Sequence, residues 1–150
     1  DLALPCTHRS RLAPDAERFF LSREVVGEPN SETHIERAEP LGTHALYHLR
    51  PVTGQRHQLR LHMMALGVPI LGDGFYPEVL RGPGEPDDAE NPLQLLARAL
   101  AFDDPVTGEQ RRFSSSLTLR AAQAASPAPA AGADQFDDKV PRSVMGASGA

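Results

Sequence analysis

The feature that most constrains the fold of this chain is a change of hydrophobic period at residues 51–54, which read Pro-Val-Thr-Gly. Before the break, residues 43–50 mix apolar and polar side chains in an alternating pattern typical of a strand. After it, three apolar residues recur at helical spacing: Leu59, Met63 and Leu66. Gly67 then stands where a left-handed C-terminal cap belongs. The sequence predicts a strand, a turn and a helix, with Thr53 as the helix N-cap and helical residues from Gln55.

The predicted helix carries basic and polar side chains beside its apolar stripe. Arg56 and Arg60 are four residues apart and share one helical face. Three more polar residues accompany them: His57, Gln58 and His62. No acidic residue occurs between Leu41 and Gly72, although the formal net charge of the chain is −5. Because a bound group responds to the local field more than to the total charge, this segment predicts a site for phosphate or carboxylate.

Further strands are expected on both sides of the helix: 17–26, 33–37, 68–71 and 112–117. Turns or loops are expected between them: 72–74, 81–91 and 104–109. Periodicity does not separate helix from strand over residues 93–100. The expected core around the helix comprises Leu59, Met63, Leu66, Val68 and Ile70. This mixture predicts an α+β domain with a mixed or antiparallel sheet and flanking helices.

The two ends of the chain lack a clear pattern. Residues 1–14 show no periodicity, and residues 121–150 are dominated by Ala, Pro, Ser, Gly and Asp, a composition typical of disorder. We therefore expect one folded domain over 1–120 and a disordered tail over 121–150. No apolar run approaches the roughly 18 residues of a membrane span, so no membrane association is expected. The single Cys6 cannot form an internal disulfide, which favours a reducing compartment such as the cytoplasm.

The six histidines raise the possibility of a metal hydrolase. His57 and His62 are five residues apart, which is a poor fit to one helical face. His44 and His48 lie on a predicted strand, where four residues span about 13 Å. A catalytic zinc site also needs a third ligand and an activating carboxylate, and no carboxylate lies near these histidines in the sequence. The metal hydrolase is therefore the weakest hypothesis, and no metal is expected.

Residues 53–62 read Thr-Gly-Gln-Arg-His-Gln-Leu-Arg-Leu-His, and residues 66–73 read Leu-Gly-Val-Pro-Ile-Leu-Gly-Asp, with Tyr76 shortly after. This order resembles the C-terminal signature of the RluA family of RNA pseudouridine synthases. A weaker similarity to the closing strand and hairpin of that family continues through residues 93–113. The resemblance covers about residues 29–117, and its length makes it more specific than any short motif in the chain.

The resemblance implies an enzyme that converts uridine to pseudouridine in ribosomal or transfer RNA, by detaching the uracil from its ribose and rejoining it through carbon. The family uses neither a cofactor nor a metal. Its catalytic residue is an aspartate in an upstream H-R-L-D-x-x-T-S-G motif. The arginine that matches Arg60 pairs with that aspartate, which keeps the carboxylate ionised and aimed. The neighbouring residues are then expected to contact the RNA or the flipped nucleotide: Arg56, His57, Gln58 and His62.

The chain departs from the family at its most important point, because residues 1–150 contain no H-R-L-D motif. Leu96 also stands where many relatives have histidine. We therefore expect residues 1–120 to form the C-terminal half of a pseudouridine synthase catalytic domain, inactive by itself. The complete enzyme is expected to be a cytoplasmic monomer. A non-catalytic RNA-binding module with the same fold is the alternative.

Overall fold

A computed structural model describes residues 2–125 and shows an α+β architecture. Four antiparallel strands form one sheet in the order β2-β1-β3-β4. Their bounds are Cys6–Pro14 for β1, Ser22–Val25 for β2, Ser31–Leu41 for β3 and His44–Pro51 for β4. A separate antiparallel hairpin pairs β5 (Ala99–Asp103) with β6 (Gln110–Ser114). The helices are α1 (Gln58–Ala65) and α2 (Arg120–Ala125). The α+β prediction is confirmed, and both sheets are antiparallel.

Strand β1 is an element that the sequence did not reveal. Its side chains alternate between inward and outward positions, as a strand with one covered face requires. Of the inward residues, however, His8 and Ser10 are polar, so the alternation does not follow hydrophobicity. The strand register places His8 opposite Thr33 and Ser10 opposite Ser31 on β3. The two strands therefore present a patch of hydroxyl and imidazole groups on the face of the sheet that meets α1.

Helix α1 packs against β1, β2 and β3. Its buried side chains are Gln58, Leu61, His62 and Met63. Leu61 joins a small apolar cluster with Leu12, Leu21 and Tyr76. Of the five core residues expected around the helix, Met63 is buried, whereas Leu59, Leu66, Val68 and Ile70 are only partly buried. The helix is therefore rotated relative to the face that its apolar spacing predicted.

Several local predictions hold. The strand expected at 43–50 corresponds to β4, and the hairpin loop at 104–109 joins β5 to β6. Gly67 has φ of 77°, and its N–H bonds to the Met64 carbonyl at 2.9 Å, as expected for a left-handed C-terminal cap. These features share a local cause, since each depends on residues close together in sequence.

Other local predictions are wrong. Residues 68–71 form turns and irregular backbone instead of a buried strand, and regular structure resumes only at β5. Residues 121–125 belong to α2 and not to a disordered tail, while the remainder of that predicted tail, 126–150, lies outside the described residues. Within the part of the chain that the structure describes, no helix is both long and apolar enough to cross a membrane.

Candidate functional site

The turn that leads into α1 is held by Gln58, whose side chain is buried. Its Oε1 accepts hydrogen bonds from Thr53 Oγ1 at 2.7 Å and from the Gln55 N–H at 3.0 Å. Its Nε2 donates to the Glu32 carbonyl at 2.9 Å and to Thr33 Oγ1 at 3.0 Å. The helix N-cap position is occupied by His57, without a side-chain cap hydrogen bond. The prediction of Thr53 as the N-cap is therefore wrong, because Thr53 braces the turn through Gln58 instead.

His62 lies completely inside the protein. Its Nδ1 is 2.9 Å from Thr33 Oγ1, and its Nε2 is 3.1 Å from Ser10 Oγ and 3.0 Å from Ser31 Oγ. Burial, together with the neighbouring His8, lowers the pKa of His62 from 6.5 to about 4, so the ring is neutral at pH 7. The structure thus uses both ring nitrogens internally.

Gln58 and His62 are not available to contact RNA, contrary to the expectation from the sequence, because both are buried. Both were expected to contact RNA, yet both are buried and their polar atoms bond to the sheet and the preceding turn. An RNA could reach either side chain only if α1 separated from the sheet. We therefore exclude these two residues from the candidate site.

Arg60 forms a two-pronged ion pair with Asp73. Its Nε donates to Asp73 Oδ2 at 2.8 Å, and its Nη2 donates to Asp73 Oδ1. The same carboxylate accepts the N–H groups of Phe75 at 2.8 Å and Tyr76 at 3.1 Å. Burial disfavours ionisation of Asp73, but these hydrogen bonds outweigh it and hold the pKa of the carboxyl below its usual value. Asp73 shapes the turn, as the sequence predicted, and it also fixes the Arg60 guanidinium.

The turn before Asp73 needs glycine at Gly72. Its φ is 74°, in the left-handed region, and a Cβ there would lie 2.3 Å from the Pro92 carbonyl oxygen. The neighbouring Leu71 carbonyl accepts the Gln94 N–H at 2.8 Å. The close contact between residues 71–72 and residues 92–94 therefore helps to position Asp73 next to Arg60.

Aromatic rings surround the Arg60–Asp73 pair. The Arg60 guanidinium carbon lies 4.8 Å from the centre of the Phe75 ring, and that of Arg81 lies 4.7 Å from it. The Phe75 ring also contacts Phe20, with ring centres 5.5 Å apart. Guanidinium groups are stabilised over aromatic rings. The arrangement packs two guanidinium groups, each paired with a carboxylate, against one aromatic ring.

His57 and Arg56 form the outer rim of this region. His57 has φ of 57° and ψ of 19°, and its Nδ1 lies 3.0 Å from Tyr76 Oη. Partial burial and the charges of Arg60 and Arg56 lower the pKa of His57. Arg56 is exposed and donates to the carbonyls of Phe19 at 2.9 Å and Phe20 at 2.8 Å. Of the five predicted site residues, the structure brings three together. Arg56 and the partly buried His57 form the accessible rim, and Arg60 lies beside it with its side chain only 11% exposed.

One possible metal-ligand group occurs among the described residues. His8, Glu24 and His62 each offer a ligand atom, and these atoms lie within 4.8 Å of one another. His8 Nε2 is 2.8 Å from Glu24 Oε1, and both nitrogens of His62 already have hydroxyl partners. A metal would have to replace those contacts. The hydrogen bonds present account for the cluster without a metal, and the absence of metal from the protein stays a prediction.

Sequence reasoning missed Asp73 as the partner of Arg60, and it missed the aromatic residues Phe20 and Phe75 as neighbours of the site. The separation in sequence explains this, because Asp73 lies beyond the helix, its cap and an irregular segment. A signal was nevertheless present. Asp73 is the first acidic residue after a long stretch without any, and Phe75 and Tyr76 follow it directly.

No family model matches the chain. The dual-specificity RNA pseudouridine synthase RluA of Pasteurella multocida strain Pm70 is 49% identical over 67 residues, 45% of this chain and 28% of that protein. The Haemophilus influenzae protein of the same name is 48% identical over 87 residues, 58% of this chain and 32% of the relative. The ribosomal large subunit pseudouridine synthase D of Vibrio vulnificus is 35% identical over 108 residues, which are 67% of this chain and 33% of that protein.

This chain therefore spans about a third of the length of the curated relatives it matches. The matched relatives carry the same enzyme name, pseudouridine synthase, in each case. Together with the ordered motif around α1, these similarities show that the chain is related to the RluA family of RNA pseudouridine synthases.

Proposed function

We propose that this chain is the C-terminal part of an enzyme that converts uridine to pseudouridine in ribosomal or transfer RNA. In that reaction the bond between uracil N1 and ribose C1′ breaks, and a bond between uracil C5 and C1′ forms. The hydrogen on C5 is released as a proton, and N1 takes up a proton, so that the product is an isomer of the substrate. Support comes from the names of the relatives, one a dual-specificity RNA pseudouridine synthase and another a pseudouridine synthase of the large ribosomal subunit. The observation that carries the proposal for this chain is the position of Arg60 beside the accessible rim.

Arg60 is proposed to pair with the catalytic aspartate of the complete enzyme. Asp73 engages Nε and Nη2 of Arg60, and within residues 2–125 no hydrogen bond involves Nη1. A guanidinium has five N–H donors, so a second carboxylate can bind the remaining edge. Such a contact would keep a nucleophilic aspartate ionised and oriented. Asp73 then acts as a positioning residue, because it holds the guanidinium in one orientation.

Arg56 and His57 are the proposed RNA contacts on this chain. A uridine inside a helix must leave its stack before its glycosidic bond is accessible, so the surrounding phosphates need to be held. Within residues 2–125 the hydrogen bonds of Arg56 go to carbonyls and not to an acid, so no carboxylate balances its charge. Its exposed edge is suited to phosphate, and binding through it should weaken as salt rises.

Release of tritium from RNA that contains [5-³H]uridine tests the proposed activity. We expect no release by the 150-residue chain alone, because its sequence has no H-R-L-D-x-x-T-S-G segment. We expect release by a longer polypeptide that contains this segment upstream of Asp1. In that polypeptide Arg60→Lys should lower turnover by about 100-fold, because a single ammonium cannot bridge two carboxylates. Pseudouridine made by the short chain, or full activity of the Arg60→Lys variant, would contradict the proposal.

A second candidate function is an RNA-binding module without catalysis. One observation favours it: the charge of Arg60 is already balanced by Asp73 within this chain, so its burial needs no catalytic aspartate. The gene sequence upstream of Asp1 separates the two functions. An H-R-L-D-x-x-T-S-G segment there supports the enzyme, whereas a start codon close to Asp1 supports the module.

We further propose that the complete protein is a cytoplasmic monomer that uses no metal or cofactor. Light scattering during gel filtration should give the mass of one chain. Activity of the complete enzyme should be unchanged by dialysis against a strong chelator. A dimer mass or a loss of activity that added metal restores would contradict this part of the proposal.

A further inference from the structure

The hydrogen bonds around Tyr76 determine which nitrogen of His57 carries a proton. The Tyr76 hydroxyl has one hydrogen and can accept two hydrogen bonds. It donates to the Ser22 carbonyl at 3.0 Å, and it accepts the Ser22 N–H at 2.9 Å. His57 Nδ1 approaches the same oxygen at 3.0 Å, where only an acceptor position is left. Nδ1 must therefore be the donor, and the proton lies on Nδ1.

The other nitrogen of His57 is then a free acceptor. No hydrogen bond to His57 Nε2 occurs within residues 2–125, and the ring is only partly buried. Partial burial of the ring and the nearby charges of Arg60 and Arg56 disfavour a second proton on His57, while Asp73 acts in the opposite direction. In the neutral ring Nε2 carries a lone pair. The rim thus presents one acceptor among cationic donors.

The orientation of this acceptor is fixed by the fold. His57 has a left-handed backbone conformation, which is uncommon for residues other than glycine, although asparagine, aspartate and histidine adopt it more often than the rest. The imidazole packs against the rings of Phe75 and Tyr76, with centres 5.8 Å and 5.7 Å away. Unusual backbone conformations of this kind persist where the surroundings enforce them, and they are frequent at binding sites.

We propose that His57 Nε2 accepts a hydrogen bond from an O–H or N–H donor of the bound RNA. The inference rests on the proposed function, and it differs from a phosphate contact. A phosphate oxygen carries no hydrogen at neutral pH and would face the Nε2 lone pair with like partial charge. A uridine supplies two such donors, the ribose 2′-hydroxyl and the uracil N3–H.

The tautomer is tested first, without RNA. A long-range ¹H–¹⁵N spectrum of the 150-residue chain labelled with ¹⁵N-histidine distinguishes the two neutral forms. We expect the His57 signals to show a protonated Nδ1 and an unprotonated Nε2. The His57→Asn variant assigns the signals by their disappearance. A protonated Nε2 at neutral pH would overturn the inference.

RNA binding tests the acceptor itself. The probe is a short single-stranded RNA that contains one uridine, and the readout is fluorescence anisotropy with the 150-residue chain. His57→Phe keeps a ring but removes the acceptor, and we expect about fivefold weaker binding, the usual effect of one lost hydrogen bond. His57→Asn suits the backbone and keeps an acceptor, so it should bind more tightly than His57→Phe. His44→Phe changes an exposed histidine at the far end of β4 and serves as the matched control.

Modified RNAs identify the donor. One arm replaces the uridine with 2′-deoxyuridine, and the other replaces it with N3-methyluridine. The modification that removes the partner of His57 should weaken binding by the wild-type chain but not by His57→Phe, because the two losses are not additive. Equal sensitivity of both proteins to both modifications, or wild-type affinity of His57→Phe, would overturn the inference. Failure of the wild-type chain to bind any RNA would overturn both this inference and the proposal that Arg56 and His57 contact RNA. Tritium release by the longer polypeptide separately tests the proposed enzyme activity.

Discussion

Two histidines of the same helical segment, His57 and His62, have opposite surroundings. His62 faces the sheet, is completely buried and uses both ring nitrogens in hydrogen bonds to hydroxyl groups. His57 stands at the first turn of α1, is partly exposed and uses one nitrogen. Both were expected to contact RNA on the basis of the motif. The comparison shows that membership of one motif does not assign one role.

The difference between the two histidines comes from the sheet beneath them. Strands β1 and β3 offer Ser10, Ser31 and Thr33 to the inner face of α1. These hydroxyls need partners because a buried polar group without a hydrogen bond is costly. His62 adds to the hydrogen bonds that these hydroxyls make with Gln58 and with each other. The outer end of the helix instead meets solvent and aromatic rings. An inner polar network and an outer basic rim therefore belong to the same short helix.

The largest expected effect comes from His62→Asn. The shorter side chain cannot reach the hydroxyls on both sides, so at least one buried hydrogen bond is lost and a cavity forms. We expect the free energy of unfolding to fall by about 3 kcal/mol, measured by urea denaturation. The folded fraction should still bind RNA as the wild type does. A loss below about 0.5 kcal/mol would show that the inner network is not structural.

The next largest effect is a loss of stability at acidic pH. The pKa of His62 is about 4 in the folded protein and 6.5 as the reference value, so the unfolded chain takes up the proton first as pH falls. The contribution of His62 to the free energy of unfolding is complete above pH 6.5 and is lost as the pH falls towards 4. We expect the free energy of unfolding to fall by about 2 kcal/mol between pH 6.5 and roughly pH 4.5. Urea denaturation at several pH values measures it.

The pH prediction has a matched control. His62→Asn should remove most of the slope in that pH range, although the variant is less stable throughout. The lowered pKa of His57 acts in the same direction, so His57→Asn should remove a smaller part. Asp73 affects stability only at lower pH. Its pKa lies below the usual value, so its contribution to the free energy of unfolding is lost only when the carboxyl takes up a proton. An unchanged slope in His62→Asn would refute the assignment.

A smaller effect is expected at the outer rim. Arg56→Ala should weaken RNA binding by about 1 kcal/mol, since one phosphate contact is lost. The dependence of log affinity on log salt should flatten by about 0.7, the value for one phosphate of a single strand. Arg37→Ala provides the control, because Arg37 is an exposed cation on β3 that pairs with Glu39. Equal effects of the two variants would indicate non-specific attraction.

The smallest expected effect is the change in stability caused by His57→Asn, which can be compared directly with that of His62→Asn. His57→Asn introduces the same substitution as at His62, but into a left-handed backbone conformation that asparagine tolerates. The lost ring contacts are offset by this preference, and we expect stability to change by no more than about 0.5 kcal/mol. Urea denaturation of the two asparagine variants side by side gives the contrast. Comparable losses in both would mean that the two histidines are equally structural.

The sequence by itself determined the features with local causes. The change of period at 51–54 located β4 and α1, Gly67 marked the helix end, and the hairpin at 104–109 followed from its turn residues. The ordered motif also identified the family relationship. Each of these signals lies within a few residues of the structure that it specifies, so periodicity and turn chemistry suffice to read it.

Only the tertiary structure decided which side of α1 faces the protein and which carboxylate meets Arg60. The apolar spacing favoured Leu59 and Leu66 as the buried face, but the sheet surface beneath the helix is polar and selects Gln58 and His62. That surface comes from β1 and β3, which lie about 25 to 50 residues away in sequence. Hydrogen-bond complementarity over such separations has no periodic signature in the chain, and for that reason it is visible only once the strands are paired.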